Sequence, residues 1–477
     1  MRMRLRRMCL CLRWRRQITV SLRSFIRNSI LKPAGDSQFP PADLYHYQHA
    51  PSNGKSSVHL RVEKDNTGVL LVNASRIYHL NQTAAYMTYN LMKQVDETAI
   101  VTGLIDTYQI AGKKAAEELR SFKNIFYQMI NPDEHCPVCD FNIDITSPFS
   151  HMPSAPYRMD LALTYRCNNL CHHCYNDRTR IIKELDLDGW KKVLDTVWQQ
   201  GIPHVVFTGG EPTLIDFLPE LIAYAQNKGL VTGMNTNGRR LKDANYVTSL
   251  VDAGLDHVQI TLESHRESIH NEMVANDKAW QQTVAGIKNA LASNLFVMTN
   301  TTLLTPNMAY LDDLLNFLAD LGVKTVGLNA LIYSGAGLDV QTGFSEENLP
   351  AILDKAKIIC EQNNTRLIWY TPTQYCHFNP IQMDLGVKGC TAALYNMCIE
   401  PNGDVLPCQS YYEPLGNILS NDWESIWKHP LAVDLRERKS VPFECLSCEL
   451  LNECGGGCPL ARKAHKTVRQ KPVYSPI

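Results

Sequence analysis

Three cysteines at C-x3-C-x2-C spacing, Cys167, Cys171 and Cys174, stand in the stretch CNNLCHHCYN. They directly follow YRMDLALTYR, a segment that reads as a buried strand. Thiols packed this densely favour metal over a disulfide. Three sulfur ligands are one short of a closed tetrahedral zinc site. They can hold three irons of a [4Fe–4S] cube and leave the fourth open. An open corner is a defect in a structural site and a requirement where something must bind the metal. A competing set is Cys171, His172, His173 and Cys174 around one zinc, although four adjacent residues wrap a tetrahedron poorly.

A second motif, FTGGEPTL at 207–214, falls at the end of the next strand-like run. Gly209 and Gly210 let backbone approach a neighbour closely, and Glu211 can accept hydrogen bonds from an ammonium group. Alone, Gly-Gly-Glu-Pro is also a plain turn. One strand after the cysteine motif, it gains weight.

The elements that must position these loops are legible as alternating strands and helices. Strands are expected at 157–165, 204–209, 231–236, 256–262, 295–303 and 324–331, with helical patterns such as LDLDGWKKVLDTVWQQ between them. Six β-α units imply a parallel α/β sheet with its site at the strands' C-terminal ends. The chain of 477 residues is too long for one core. Its organisation reads as an extension and linker (1–56), a small winged-helix-like module (57–131), a linker (132–156), the α/β core (157–372) and a cysteine-rich region (373–477). Within the module, Asp65–Gly68 is a turn between two strands. Asn81 caps a helix, and further helices are expected at 97–109 and 113–130.

Composition is ordinary for a globular protein, with 44% hydrophobic and 20% charged residues. The first 32 residues hold nine Arg, one Lys and no acid, leaving −11 on the rest against a net charge of −1. Such a segment suits a surface-binding helix, a transit peptide or a start placed too early, with Met3 and Met8 as alternatives; a disordered or non-native extension is expected. No apolar run reaches the ~18 residues of a membrane helix, and no signal peptide is legible, so a cytoplasmic protein without a membrane partner is expected.

Together the two motifs resemble the radical S-adenosylmethionine (SAM) superfamily over about 157–335. The resemblance implies a partial (β/α)6 TIM-like barrel in which Cys167, Cys171 and Cys174 bind a catalytic [4Fe–4S] cluster. The open iron would chelate SAM, whose reductive cleavage yields a 5′-deoxyadenosyl radical that abstracts a substrate hydrogen. By position it implies Tyr175 near the adenine and Gly209, Gly210, Glu211 and Pro212 at the methionine amino group. It places Asn235 and Asn237 of MNTNG at the ribose or carboxylate. Thr261, Glu263 and Ser264 of QITLES stand where the family more often shows Ser-Leu-Asp. Asn329 would face the barrel mouth.

Seven of the sixteen cysteines fall between Cys390 and Cys458. Their spacing resembles the SPASM extension of radical SAM enzymes, which holds auxiliary [4Fe–4S] clusters. The pattern implies Cys390, Cys398, Cys408 and Cys458 on a nearer cluster, with Gly403 turning the hairpin that presents Cys408. It implies Cys445, Cys448 and Cys454 on a farther one, whose usual last cysteine is missing. That cluster would be open, completed by a residue such as His465, or absent, giving one or two auxiliary clusters. The competing reading is a zinc ribbon of the last four cysteines. Cys136 and Cys139 form a lone C-x2-C pair, Cys360 reads as a core thiol, and Cys376 and the pair Cys9 and Cys11 gain no role.

GVLLVNASRIYHLNQTAAYMTYNLM resembles the PqqD-like peptide-binding module, over about 58–130. This implies a leader peptide added as a strand, with Val69–Val72, Leu119, Phe122 and Phe126 as contacts, although ordinary core packing explains those side chains equally well. No basic recognition helix points to nucleic acid. The combination implies an enzyme that cross-links a ribosomally made precursor peptide through a thioether or carbon–carbon bond, fed by a donor such as ferredoxin or flavodoxin. Two alternatives stand: a maturase of a folded enzyme, weakened because Gln409 follows Cys408 where sulfatase maturases place Asp, and a non-catalytic iron–sulfur protein. Tyr333, Tyr370, Gln374, Tyr375 and His377 are candidates near the mouth, with no proton acceptor assigned.

Overall fold

The computed structural model describes residues 19–21, 39–49, 56–131, 144–146, 149 and 152–469. Cys9, Cys11, Cys136 and Cys139 lie outside them. The chain divides into two units, one of residues 1–154 with 198–203, and one of 155–197 with 204–477.

In the first unit, β1 (Thr19–Ser21), β2 (Leu44–His49), β3 (Ser56–Val62), β4 (Gly68–Val72), β5 (Arg76–Leu80) and β6 (Asp144–Thr146) form one sheet in the order β2-β3-β4-β5-β1-β6. The expected turn forms, with Asp65 Oδ1 accepting the Thr67 N–H at 3.0 Å. Three helices follow: α1 (Gln82–Met92), α2 (Glu97–Tyr108) and α3 (Gly112–Ile130). Asn81 caps α1 as expected, accepting the Ala84 N–H at 2.9 Å.

Two expectations fail here. Residues 33–56 are not simply a linker, because LYHYQH forms β2. Its aromatics pack rather than alternate cleanly, with the rings of Tyr45 and Tyr89 4.7 Å apart. The expected peptide contacts are core instead: Val69–Val72 lie on a strand paired on both edges, and they are buried together with Leu119, Phe122 and Phe126.

The second unit holds β7 (Arg158–Thr164), β8 (His204–Gly209), β9 (Val231–Thr236), β10 (His257–Thr261), β11 (Phe296–Thr302), β12 (Thr325–Asn329) and β13 (Arg366–Trp369), all parallel and in sequential order. Six match the expected strands to within a few residues, and β13 is a seventh. Between them run α4 (Leu187–Gln199), α5 (Leu218–Asn227), α6 (Ala244–Asp252), α7 (Glu267–Val274), α8 (Ala279–Leu291), α9 (Leu311–Asp320) and α10 (Leu349–Gln362). Cys360 is a buried thiol on α10, as expected.

The cysteine-rich region continues this sheet. Strand β14 (Asn396–Ile399) pairs in parallel with β7, and β15 (Asp404–Leu406) and β16 (Gly416–Asn417) follow antiparallel. Gly403, at φ +91°, makes the expected hairpin turn. A last helix, α11, spans Pro459–Arg469. Among the described residues no helix is long and apolar enough to cross a membrane.

Candidate active site

The cysteine loop after β7 is held from several sides. Leu170 and His172 donate their backbone N–H groups to Val274 and Met273 carbonyls at 3.0 and 3.1 Å, at the end of α7. Arg239 Nη1 donates to Asn169 Oδ1 at 2.9 Å and to the Asn168 carbonyl, which also accepts from Asn276 Nδ2 at 3.2 Å. Arg178 donates to the Cys171 carbonyl at 2.6 Å. Cys167 Sγ accepts the Asn169 N–H at 3.4 Å and stands 3.9 Å from Asn237 Nδ2. Donors aimed at a ligating sulfur stabilise its negative charge.

The Gly-Gly turn serves this loop. A Cβ on Gly209, at φ +124°, would stand 2.2 Å from the Thr164 carbonyl, and one on Gly210 would stand 2.2 Å from that of Arg166. The Gly210 and Glu211 N–H groups bond those same two carbonyls at 2.6 and 2.9 Å. Glycine is needed because backbone lies against backbone. Glu211 is fully buried. Its Oε1 accepts from Thr213 N, Thr213 Oγ1 and Thr236 Oγ1, and its Oε2 from Asn237 N at 2.8 Å. Burial pushes its pKa up while these donors pull it back. The carboxylate therefore braces the ends of β8 and β9. Pro212 opens the short turn that follows.

Glu263 plays a matching part at the end of β10. Its Oε1 meets His173 Nε2 at 2.9 Å and its Oε2 accepts the Thr302 N–H at 2.9 Å, tying the cysteine loop to β11. Ser264 is buried and accepts the Arg266 N–H at 3.2 Å. Asn237 Nδ2 bonds Asn168 Oδ1 at 2.6 Å. Glu211, Asn237, Glu263 and Ser264 thus each bond to protein groups around the cysteine loop or the strand ends. Asn235 pairs in register with Gln259, and Thr261 with Asn300. Met234, Val258 and Ile260, on the opposite face, are buried beneath helices, so the partly accessible Asn235, Gln259 and Thr261 line the concave face. Asn329 ends β12, and Tyr175 is half-buried, with desolvation pushing its hydroxyl up in pKa against the hydrogen bond of Thr208, which lowers it.

The three loop thiols suit a cluster. Burial raises Cys167 to about 11, and Cys171 well above its ordinary value, with the neighbouring thiols adding to both. Crowded thiolates are stabilised by a compensating positive centre, and these three are half-buried. Among the described residues no three His, Cys, Asp or Glu side chains converge on a single-ion site. A four-iron cube holds its thiolates farther apart than one ion does. His172 is exposed, and His173 Nε2 is bonded to Glu263.

The C-terminal cysteines gather as well. Cys390, Cys408 and Cys458 lie in mutual electrostatic range, and Cys398 in range of Cys408. Burial raises all four, Cys390 to about 12. Cys445 lies in range of Cys454 and Cys448. His465 falls on α11, outside the described side chains. Residues no motif announced join this region to the cysteine loop: Glu400 accepts from Tyr165 at 2.8 Å and from Arg180 at 2.7 Å, and Tyr412 donates to the Tyr175 carbonyl at 3.2 Å.

Of the mouth candidates, Tyr370 crosses the inner face at Gly327, where a Cβ would meet its ring at 2.5 Å. Tyr333 packs against Met273, Leu304 and Leu331. Gln374, Tyr375 and His377 belong elsewhere. The Gln374 N–H and His377 face Glu346, and the Tyr375 N–H bonds Cys454 Sγ.

Residues 161–330 match the radical SAM superfamily, and residues 390–449 match SPASM, an iron–sulfur cluster-binding domain. The PqqA peptide cyclase of Bradyrhizobium diazoefficiens is 28% identical over 322 residues, 64% of this chain and 81% of that protein. Streptococcus suis SuiB bound to S-adenosylmethionine has a TM-score of 0.64 at 17% identity, over 87% of this chain and 96% of that one. SuiB bound to its precursor peptide SuiA gives 0.64 at 16% identity, over 90% and 97%. The structure of native anSMEcpe with bound AdoMet gives 0.52 at 16% identity, over 65% and 91%. The chain is an enzyme that carries a radical SAM domain, which binds a [4Fe–4S] cluster and S-adenosylmethionine, and a C-terminal iron–sulfur cluster-binding domain.

Proposed function

We propose that this radical SAM enzyme modifies a ribosomally made precursor peptide, closing a thioether or carbon–carbon cross-link at an unactivated carbon. One observation carries the reading: β14, which bears Cys398, lies beside β7, which leads into the cysteine loop. Cross-linking removes two hydrogens from the peptide, one as a hydrogen atom and one as a proton with an electron. The set Cys390, Cys398, Cys408 and Cys458 offers that electron an exit next to the site. When bound, the loop cluster and S-adenosylmethionine supply the 5′-deoxyadenosyl radical that takes the hydrogen atom.

The chain's own residues do the rest. Arg239, Asn237 and Glu263 fix the cysteine loop, while Gln259 and Asn300 offer hydrogen bonds to the peptide on the concave face. The docking of a leader on the N-terminal unit is part of this proposal. With β4 paired on both edges, an open groove of about 700 Å³ lined by Phe39, Tyr86, Tyr89, Asp96 and Asp106 offers it room. A ferredoxin- or flavodoxin-class donor in the cytoplasm completes the proposal. The similarity to a peptide cyclase and to a peptide-bound SuiB supports the reading over a folded-enzyme substrate.

The test is anaerobic incubation with S-adenosylmethionine, a reductant and short peptides encoded beside the gene, followed by mass spectrometry. A peptide lighter by two hydrogens is expected. Cofactor cleavage with every peptide unchanged would redirect the search to folded proteins.

A further inference from the structure

The seven C-terminal cysteines divide four and three, and the fold brings an eighth to the smaller group. Cys376 lies in the loop after β13, far upstream of Cys445 in sequence. Its loop is pinned to the turn Cys454–Cys458. The Tyr375 N–H donates to Cys454 Sγ at 3.3 Å, and Cys454 Sγ stands 3.7 Å from the Thr373 carbonyl. A Cβ on Gly457, at φ +73°, would stand 3.0 Å from Gln374 N. From the other side the Tyr375 hydroxyl accepts the Lys388 N–H at 2.8 Å. Cys376 lies in electrostatic range of Cys454 and Cys448, and Cys445 in range of Cys454, Cys376 and Cys448. Of the other four thiols, Cys390, Cys408 and Cys458 lie in mutual electrostatic range and Cys398 in range of Cys408.

We propose that Cys376 is the fourth ligand of a second auxiliary [4Fe–4S] cluster, held otherwise by Cys445, Cys448 and Cys454. A thiolate from the β13 loop then completes the ligand set, and the cluster ties the Cys445–Cys454 segment to that loop. Its neighbour His377 has its Nδ1 3.4 Å from Glu346, and thiolate is the commoner ligand of an iron–sulfur cube. Cys376 and Cys448 are both exposed, so this cluster sits at the protein surface and truncating either residue opens no core cavity.

The inference concerns cluster content and does not depend on the peptide chemistry, so its test needs no substrate. The full-length chain and its Cys376→Ala and Cys448→Ala variants are reconstituted anaerobically. Iron and sulfide are then counted, and EPR and Mössbauer spectra recorded. Three clusters put ~12 irons on the wild-type chain. Each variant is expected to fall to about 8, or to convert one cluster to a three-iron or altered form, with the other two spectra unchanged. Overturning results are a wild-type count of about 8, or a Cys376→Ala protein with the wild-type count and spectra. A Cys448→Ala phenotype that Cys376→Ala does not share would also overturn it.

Discussion

Glu211 braces the ends of two strands from within the protein. Its carboxylate accepts bonds from four donors in a fully buried setting. In Glu211→Gln an amide NH2 must face donors, and the cost is about 3 kcal/mol. Chemical denaturation checks this, and iron content should fall with it as the cysteine loop loses its brace. His270 gives a pH signature. Its Nδ1 accepts the Glu263 N–H at 3.1 Å, and burial lowers its pKa from 6.5 to about 4. Below pH 6.5 the unfolded chain binds a proton that the folded chain refuses until about pH 4. This contribution is therefore full above pH 6.5 and lost as pH falls through 4. Between pH 7.5 and 5 the loss is about 2 kcal/mol, and His270→Asn should remove that slope in denaturation experiments. The cysteine ligands were legible because their spacing is local. The partners of Glu211 and Glu263 were not, because Thr236, Asn237, His173 and Thr302 reach them only through the fold.

At the scale of elements, the parallel sheet was readable because buried strands are continuous apolar runs between amphipathic helices. Strand β2 was hidden by its proline- and serine-rich flanks, and β13 by its short length. The pairing of β14 with β7 has no local signal, since register is a property of two distant segments. That junction carries a buried charge: Glu400 is fully buried and bonded by Arg180 and Tyr165. Arg180→Met leaves the carboxylate unpaired, and a loss of about 3 kcal/mol is expected by denaturation. At the Gly-Gly turn, Gly209→Ala places a Cβ against the Thr164 carbonyl at an unfavourable φ. The expected outcome is a chain that folds but retains little of the loop cluster, read by EPR of the reduced protein.

At the scale of the whole molecule, the core and the cysteine-rich region share one ten-stranded sheet, and the N-terminal unit has a six-stranded sheet of its own. A sheet continuous from the loop cysteines to Cys398 suits a reaction that both takes a hydrogen and disposes of an electron. The central claim is that the hydrogen comes from a peptide carbon. The most direct measurement is transfer of deuterium from a precursor peptide, labelled at the carbon to be linked, into 5′-deoxyadenosine. The account predicts singly deuterated 5′-deoxyadenosine formed in proportion to a peptide that has lost one deuterium and one hydrogen. Unlabelled 5′-deoxyadenosine beside an intact, fully labelled peptide, for every peptide encoded with the gene, would contradict it.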